Sequence, residues 1–70
     1  MSLEHEVGIT AGEIYKKFAG LEHYAPMNRV VKVINRDPRI IALALGWLLR
    51  EKKIEARRDG GKLLIKVLSG

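Results

Sequence analysis

The sequence predicts an α+β domain in which three helices are followed by a two-stranded β-hairpin. Apolar residues recur at helical spacing in three successive segments, whereas near the C-terminus they alternate with polar residues. An Asp-Gly-Gly turn divides this last segment into two strands. A chain of 70 residues has room for a single domain, which we place over residues 1–70, with residues 1–6 expected to form a flexible end.

The first helix is predicted to begin at Thr10. Thr10 and Glu13 have the spacing of a capping box, in which each side chain bonds the backbone N–H of the other residue. Gly20 then ends the helix. The residues at positions i, i+3, i+4 and i+7, which are expected to form its buried stripe, are Ala11, Ile14, Tyr15 and Phe18.

The second helix is predicted to start at Pro26, after a short link that has room for a strand of two or three residues. It has one apolar and one basic face. The apolar positions are Met27, Val30, Val31 and Ile34, and the basic positions are Arg29, Lys32 and Arg36. The basic face suits either phosphate contacts or an ordinary solvated surface.

The third helix, predicted within residues 36–55, is the central element of the domain. Asp37 can cap its first free N–H groups, and Pro38 suits the first helical position. Large apolar residues cover well over half of its circumference. The narrow sector without them contains Arg39, Ala42, Gly46, Arg50 and Lys53.

The C-terminal segment is predicted to form a hairpin with a basic tip. Its turn, residues 59–61, supplies the glycines that a tight turn needs. Arg57, Arg58 and Lys62 cluster around that turn. Leu64 and Leu68 interrupt an otherwise polar outer face, so they either cover another element or join an interface.

Three helices with a tight turn before the third, followed by a hairpin, form a winged helix-turn-helix order. The segments GITAGEIYKKF and ALGWLLREKKIE resemble a family of small bacterial and archaeal winged helix-turn-helix domains without a defined molecular function. The resemblance runs from Val7 to Leu68 and is most specific over Leu45–Leu48. Lys52 or Lys53 stands where many relatives have glycine. By analogy with other winged helices, the resemblance implies DNA binding.

The charge distribution favours a polyanionic partner. Residues 26–70 contain eleven Lys and Arg against four acidic residues, whereas residues 1–25 have a net charge of −2. Duplex DNA is therefore the expected partner, although a merely soluble basic surface accounts for the same charge. The expected contact residues are Arg29, Lys32, Arg36, Arg39, Arg57, Arg58 and Lys62. Among these, Arg39 is the best placed to make a paired contact with guanine.

A protein-interaction or homodimer module is the alternative function. The exposed sector of the third helix reads bases poorly, and Ile40, Leu43 and Trp47 form a second apolar stripe. Trp47 either fills the core or marks an interface with Leu43, Leu64 and Leu68. Gly46 admits either a close external neighbour or tight packing within the chain.

Catalysis, cofactor binding and membrane insertion find no support in the sequence. There is no cysteine, the two histidines lack metal-ligand spacing, and the serines stand at the chain ends. No glycine-rich nucleotide-binding loop introduces a helix, and no apolar run is long enough to span a bilayer. The expectation is a cytoplasmic protein that is not an enzyme and has no metal or cofactor.

Overall fold

The computed structural model describes residues 2–68, and its elements follow the predicted order with one short strand added. These elements are α1 (Leu3–Phe18), β1 (Ala25–Pro26), α2 (Met27–Ile34), α3 (Pro38–Arg50), β2 (Ile54–Asp59) and β3 (Lys62–Val67). The predicted α+β winged helix-turn-helix architecture is confirmed. The strand β1 lies in the link before α2, where the sequence allowed for one.

The wing is part of a three-stranded antiparallel sheet with the strand order β1-β3-β2. β3 is the central strand: Ala25 of β1 lies opposite Ile65, and Ala56 of β2 lies opposite the same residue. The hairpin turns through Gly60 and Gly61, and Gly60 has a φ of +62°, which a residue without a Cβ adopts at no steric cost. The predicted turn is confirmed.

The helix α1 begins at Leu3, so the predicted capping box at Thr10 and Glu13 is wrong. The Oγ atom of Ser2 accepts a hydrogen bond from the His5 N–H at 3.1 Å and caps the helix there. Residues 3–6, expected to be part of a flexible end, are helical, and Met1 lies outside the described residues. Two glutamates in the first turn favour this start because negative charge is stabilised at a helix N-terminus.

Thr10 is a fully buried residue in the middle of α1 rather than its cap. Its Oγ1 donates a hydrogen bond to the carbonyl oxygen of Glu6 at 2.8 Å, which is the usual way for a buried threonine within a helix to satisfy its hydroxyl. The predicted stripe of α1 faces the core, with Tyr15 partly buried and the other three residues buried.

A tight turn joins α2 and α3, as predicted. Asn35 ends α2 in the left-handed conformation, with a φ of 55°, and its N–H donates to the Val31 carbonyl at 3.2 Å. Asp37 caps α3 because its Oδ1 accepts the Arg39 N–H at 2.9 Å, and Pro38 occupies the first helical position.

The helix α3 ends at Arg50, short of the predicted limit at residue 55. Lys52 adopts a φ of 58°, a left-handed conformation that glycine adopts most easily, and β2 begins two residues later. Of the two lysines at which the resemblance leads to an expectation of glycine, Lys52 therefore has the backbone conformation that favours it.

The core contains residues from every element, and α3 contributes the most. Ile14 of α1, Val30 of α2 and Ile41 of α3 are fully buried. The core residues of α3 are Ile40, Ile41, Ala44, Leu45 and Leu48. No helix within residues 2–68 has the length and apolar character needed to cross a bilayer.

Candidate nucleic-acid interface

The basic residues predicted on the second helix lie on the solvent side of α2. Arg29 and Lys32 are exposed, whereas Val30 and Ile34, on the opposite face, are buried. No side chain within residues 2–68 caps the start of α2, and the first turn of this helix has no acidic residue. This face of α2 therefore presents positive charge without a compensating carboxylate on the helix itself.

Arg36 lies in the turn between α2 and α3, where it pairs with a carboxylate instead of extending the basic face of α2. Its Nε is 2.5 Å from the Oε1 of Glu13 on α1. The hydrogen bond to Arg36 is the main cause of the lowered pKa of Glu13, and the same bond raises the pKa of Arg36. The structure thus places Arg36 in a link between α1 and the helix-turn-helix.

Arg39, the residue expected to contact guanine, is paired with the cap of its own helix. Its Nε and one terminal nitrogen donate to the two oxygens of Asp37 at 3.1 Å and 2.7 Å. These side-chain bonds, followed by the Arg39 backbone N–H, lower the pKa of Asp37 to about 2. The Arg39 side chain is still 88% exposed, so an anion can reach it in competition with Asp37.

The wing arginines point to opposite faces of the sheet. Arg57 is paired with Leu64 and Arg58 with Leu63, and successive side chains of a strand alternate between faces. Arg58 shares its face with the buried Ile65 and thus points to the side of the helices, whereas Arg57 and Lys62 share the outer face. The predicted basic tip is therefore charged on both of its sides.

Tyr24 lies on the outer face of the sheet. It was not predicted as a site residue from the sequence. Its O–H donates to Glu55 Oε2 at 2.7 Å, and this bond is the main cause of its raised pKa. The Arg57 guanidinium and the Lys66 ammonium lie 5.5 Å and 5.8 Å from the ring centroid. In the sequence, Tyr24 stands directly before β1. In the sheet, it therefore continues the row of residues across the strands that contains Lys66 and Glu55.

A groove of about 480 Å³ separates the start of α2 from the tip of the wing. Met27 and Val31 line one wall, and Lys62 and Leu63 line the other. Arg29 and Lys32 belong to α2, and Arg58 belongs to the wing. The groove therefore lies between two elements that both carry exposed basic residues.

The exposed side of α3 has more apolar character than the sequence indicated. Leu43, Trp47 and Leu49 are 51%, 43% and 45% exposed. Trp47 is therefore not core filler, although its ring lies against α1, 3.6 Å from the point where a Cβ of Gly8 would stand. A Cβ at Gly46 would meet nothing within 4 Å, so tight packing within the chain does not explain this glycine.

The residues named as an interface lie on two separate surfaces. Leu43 and Trp47 belong to the exposed side of α3, whereas Leu64 and Leu68 are half-buried and face away from the side of β3 that contacts the core. Leu68 extends the pairing of β3 with β2, because its N–H donates to the Lys53 carbonyl at 2.8 Å.

The histidines and carboxylates of the described residues do not form a metal site. No group of three or more potential His, Asp or Glu ligands lies close enough together within residues 2–68 to hold an ion. Both histidines are exposed. The surface of α2 and the wing carries separate Arg and Lys side chains, and this arrangement suits contacts with an extended anion.

Comparison with known proteins agrees with this architecture. The model of a family described as a winged helix-turn-helix domain (DUF2582) matches residues 1–67. The chain belongs to this winged helix-turn-helix family. It is also 34% identical over 65 residues to the uncharacterized protein MJ1608 of Methanocaldococcus jannaschii, and the match covers 89% of this chain and 90% of that protein.

Proposed function

We propose that this winged helix-turn-helix protein is a cytoplasmic, non-enzymatic binder of duplex DNA. The observation that carries the proposal is the groove between α2 and the wing, which is bordered by two elements with exposed cations. In helix-turn-helix complexes the phosphate backbone is contacted by such flanking elements, and the third helix enters the major groove.

The proposed binding is tolerant of sequence, as expected of a nucleoid-type protein or a regulator with weak base readout. Sequence is read by side chains that exchange hydrogen bonds with base edges, most often Arg, Lys, Asn and Gln. The helix α3 has neither amide nor hydroxyl side chains, and its leading Arg39 is held by Asp37. Phosphate contacts therefore supply most of the affinity that we expect.

Fluorescence anisotropy with two labelled duplexes of unrelated sequence tests this function. Phosphate contacts release counterions, so log K should fall linearly with log salt, with a slope of about −0.9 for each contact. We expect similar affinities and similar slopes for both duplexes. Absence of binding at low salt to either duplex would rule out the proposed function.

Paired charge removals on different elements locate the interface. Arg29→Ala with Lys32→Ala, and separately Arg58→Ala with Lys62→Ala, should weaken binding to both duplexes and reduce the salt slope by about 2. Lys16→Ala with Lys17→Ala removes the same charge from exposed positions on α1 and serves as the control. An equal loss in the control would mean that net charge, not this surface, determines binding.

A further inference from the structure

The exposed face of α3 is an apolar surface that the proposed phosphate contacts do not use. Leu43, Trp47 and Leu49 expose between 43% and 51% of their surface, and Ala42 and Gly46 are exposed with them. Phosphate contacts do not use such side chains, and exposed apolar patches of this kind mark interaction surfaces in monomeric domains.

These residues form a trough along the helix. At 100° per residue, Ala42 and Gly46 lie side by side, with Leu49 on one flank and Leu43 and Trp47 on the other. The floor is open, because a Cβ at Gly46 would meet no atom within 4 Å. A floor of small residues between larger walls accepts the ridge of a second helix, since close approach of two backbones needs small side chains at the crossing.

The charges around the trough indicate the chemistry of its occupant. Arg39 lies at the start of the exposed sector and Arg50 at its end, and Lys53 follows beyond. Lys16 and Glu51 border the adjoining groove between α1 and α3, beside Trp47. A second copy laid along α3 would set Arg50 against another Arg50 when parallel and against the Arg39–Asp37 pair when antiparallel, so it offers Arg50 no free carboxylate within the trough.

We propose that this trough docks an amphipathic helix of a partner protein whose apolar stripe is flanked by acidic residues. The Leu43–Trp47 wall and the Leu49 wall hold the apolar stripe, and Arg39, Arg50 and Lys53 face the carboxylates. Asp37 already holds Arg39, so Arg50 and Lys53 supply most of the attraction. This docking does not rest on the proposed DNA binding, but a partner helix and a DNA groove would compete for α3.

Trp47 reports on the trough directly because it is the single tryptophan of the chain. The probe is a synthetic helix of about 18 residues, which is long enough to be helical in water, with leucines at i, i+3, i+4 and i+7 and glutamates on both sides of that stripe. The matched control peptide has lysines in place of the glutamates. We expect the acidic peptide, but not the lysine peptide, to shift the Trp47 emission to shorter wavelength.

Two variants distinguish the trough from any other apolar residue on the surface. Leu43→Gln removes one wall and should weaken binding of the acidic peptide roughly tenfold. Val33→Gln makes the same kind of change on α2, at a residue that is 45% exposed, and should leave the affinity unchanged. Circular dichroism and urea unfolding establish that both variants fold.

Several results would overturn the proposal. No response to the acidic peptide, an equal response to the lysine peptide, or an equal loss with Val33→Gln would each reject an acidic helix as the occupant. A Trp47 shift on concentrating the protein alone, with dimers seen by sedimentation velocity, would assign the trough to a second copy. If duplex DNA does not bind in the anisotropy titration but the acidic peptide still shifts the Trp47 emission, only the DNA function is rejected.

Discussion

Glu13 of α1 and Arg36 of the turn before α3 form an ion pair that joins the first helix to the helix-turn-helix. The Nε–Oε1 distance is 2.5 Å, and both side chains remain partly exposed. Arg36 is therefore satisfied within the chain although its position, directly before α3, is one from which winged helices contact DNA. The pair competes with any phosphate that approaches the turn.

Neutralising Glu13 should strengthen DNA binding if Arg36 belongs to the interface. In Glu13→Gln the guanidinium loses its charged partner, so it becomes available to a phosphate and the salt slope should become steeper by about 1. Anisotropy titrations at several salt concentrations measure this. Glu22→Gln, at an exposed residue of the link before β1, is the control for a general change of net charge. Equal effects of the two variants would remove Arg36 from the interface.

Stability should fall at low pH in part through Asp37. Its pKa is lowered from 3.8 to about 2 by the bonds from Arg39, so the folded state holds fewer protons than the unfolded state in this range. The resulting stabilisation is complete above the ordinary pKa and is lost as the pH falls through about 2. Urea unfolding at pH 5 and near pH 2 should show this loss.

Asp37→Asn isolates the charge of this residue from its role as a cap. Asparagine caps a helix about as well as aspartate does, but it does not titrate. The variant should therefore lose less stability than the wild type between the two pH values. Glu13, whose pKa is also lowered, adds to the acid sensitivity of both proteins. Identical pH dependence in the two proteins would contradict the proposed contribution of Asp37.

Two glycines of the chain should respond to alanine in opposite directions. Gly46 lies within α3 with open space around it, so Gly46→Ala should raise the free energy of unfolding by about 1 kcal/mol through helix propensity. Gly60 has a φ of +62° at the wing turn, so Gly60→Ala should lower it by about 1–2 kcal/mol. Urea denaturation measures both, and a destabilised Gly46→Ala variant would show that the space at α3 is not free.

The buried Thr10 should tolerate loss of its hydroxyl better than loss of its methyl group. Its Oγ1 donates to the Glu6 carbonyl, which belongs to the same helix. Thr10→Val keeps the branched shape and should change the free energy of unfolding by no more than about 1 kcal/mol. Thr10→Ser removes a buried methyl and should cost about 1 kcal/mol or more. The reverse order would show that the hydroxyl bond dominates at this position.

Periodicity predicted the helices well because burial on one side of each helix leaves a readable spacing. The Asp37-Pro38 start of α3 was predictable because both residues have strong positional preferences. The start of α1 was not, because the spacing of Thr10 and Glu13 favoured a later start and the earlier one requires Gly8 to lie within the helix. It does so here, beside the ring of Trp47.

The candidate site was harder to predict because it depends on pairs that are distant in the sequence. The spacing of Arg36 and Arg39 identified them as exposed cations, but only the fold brings Glu13 to Arg36. The contact between Tyr24 and Glu55 likewise joins residues 31 positions apart. The exposure of Leu49 escaped prediction because the sequence does not reveal how much of α3 the other elements cover.

The order of strands in the sheet has a consequence for the synthesis of the protein. The central strand, β3, follows both of its neighbours in the sequence. A nascent chain that ends before Lys62 has β1 and β2 but nothing to join them, and it lacks the core residues Ile65 and Val67. The sheet and the core of the domain therefore close only after β3 has left the ribosome.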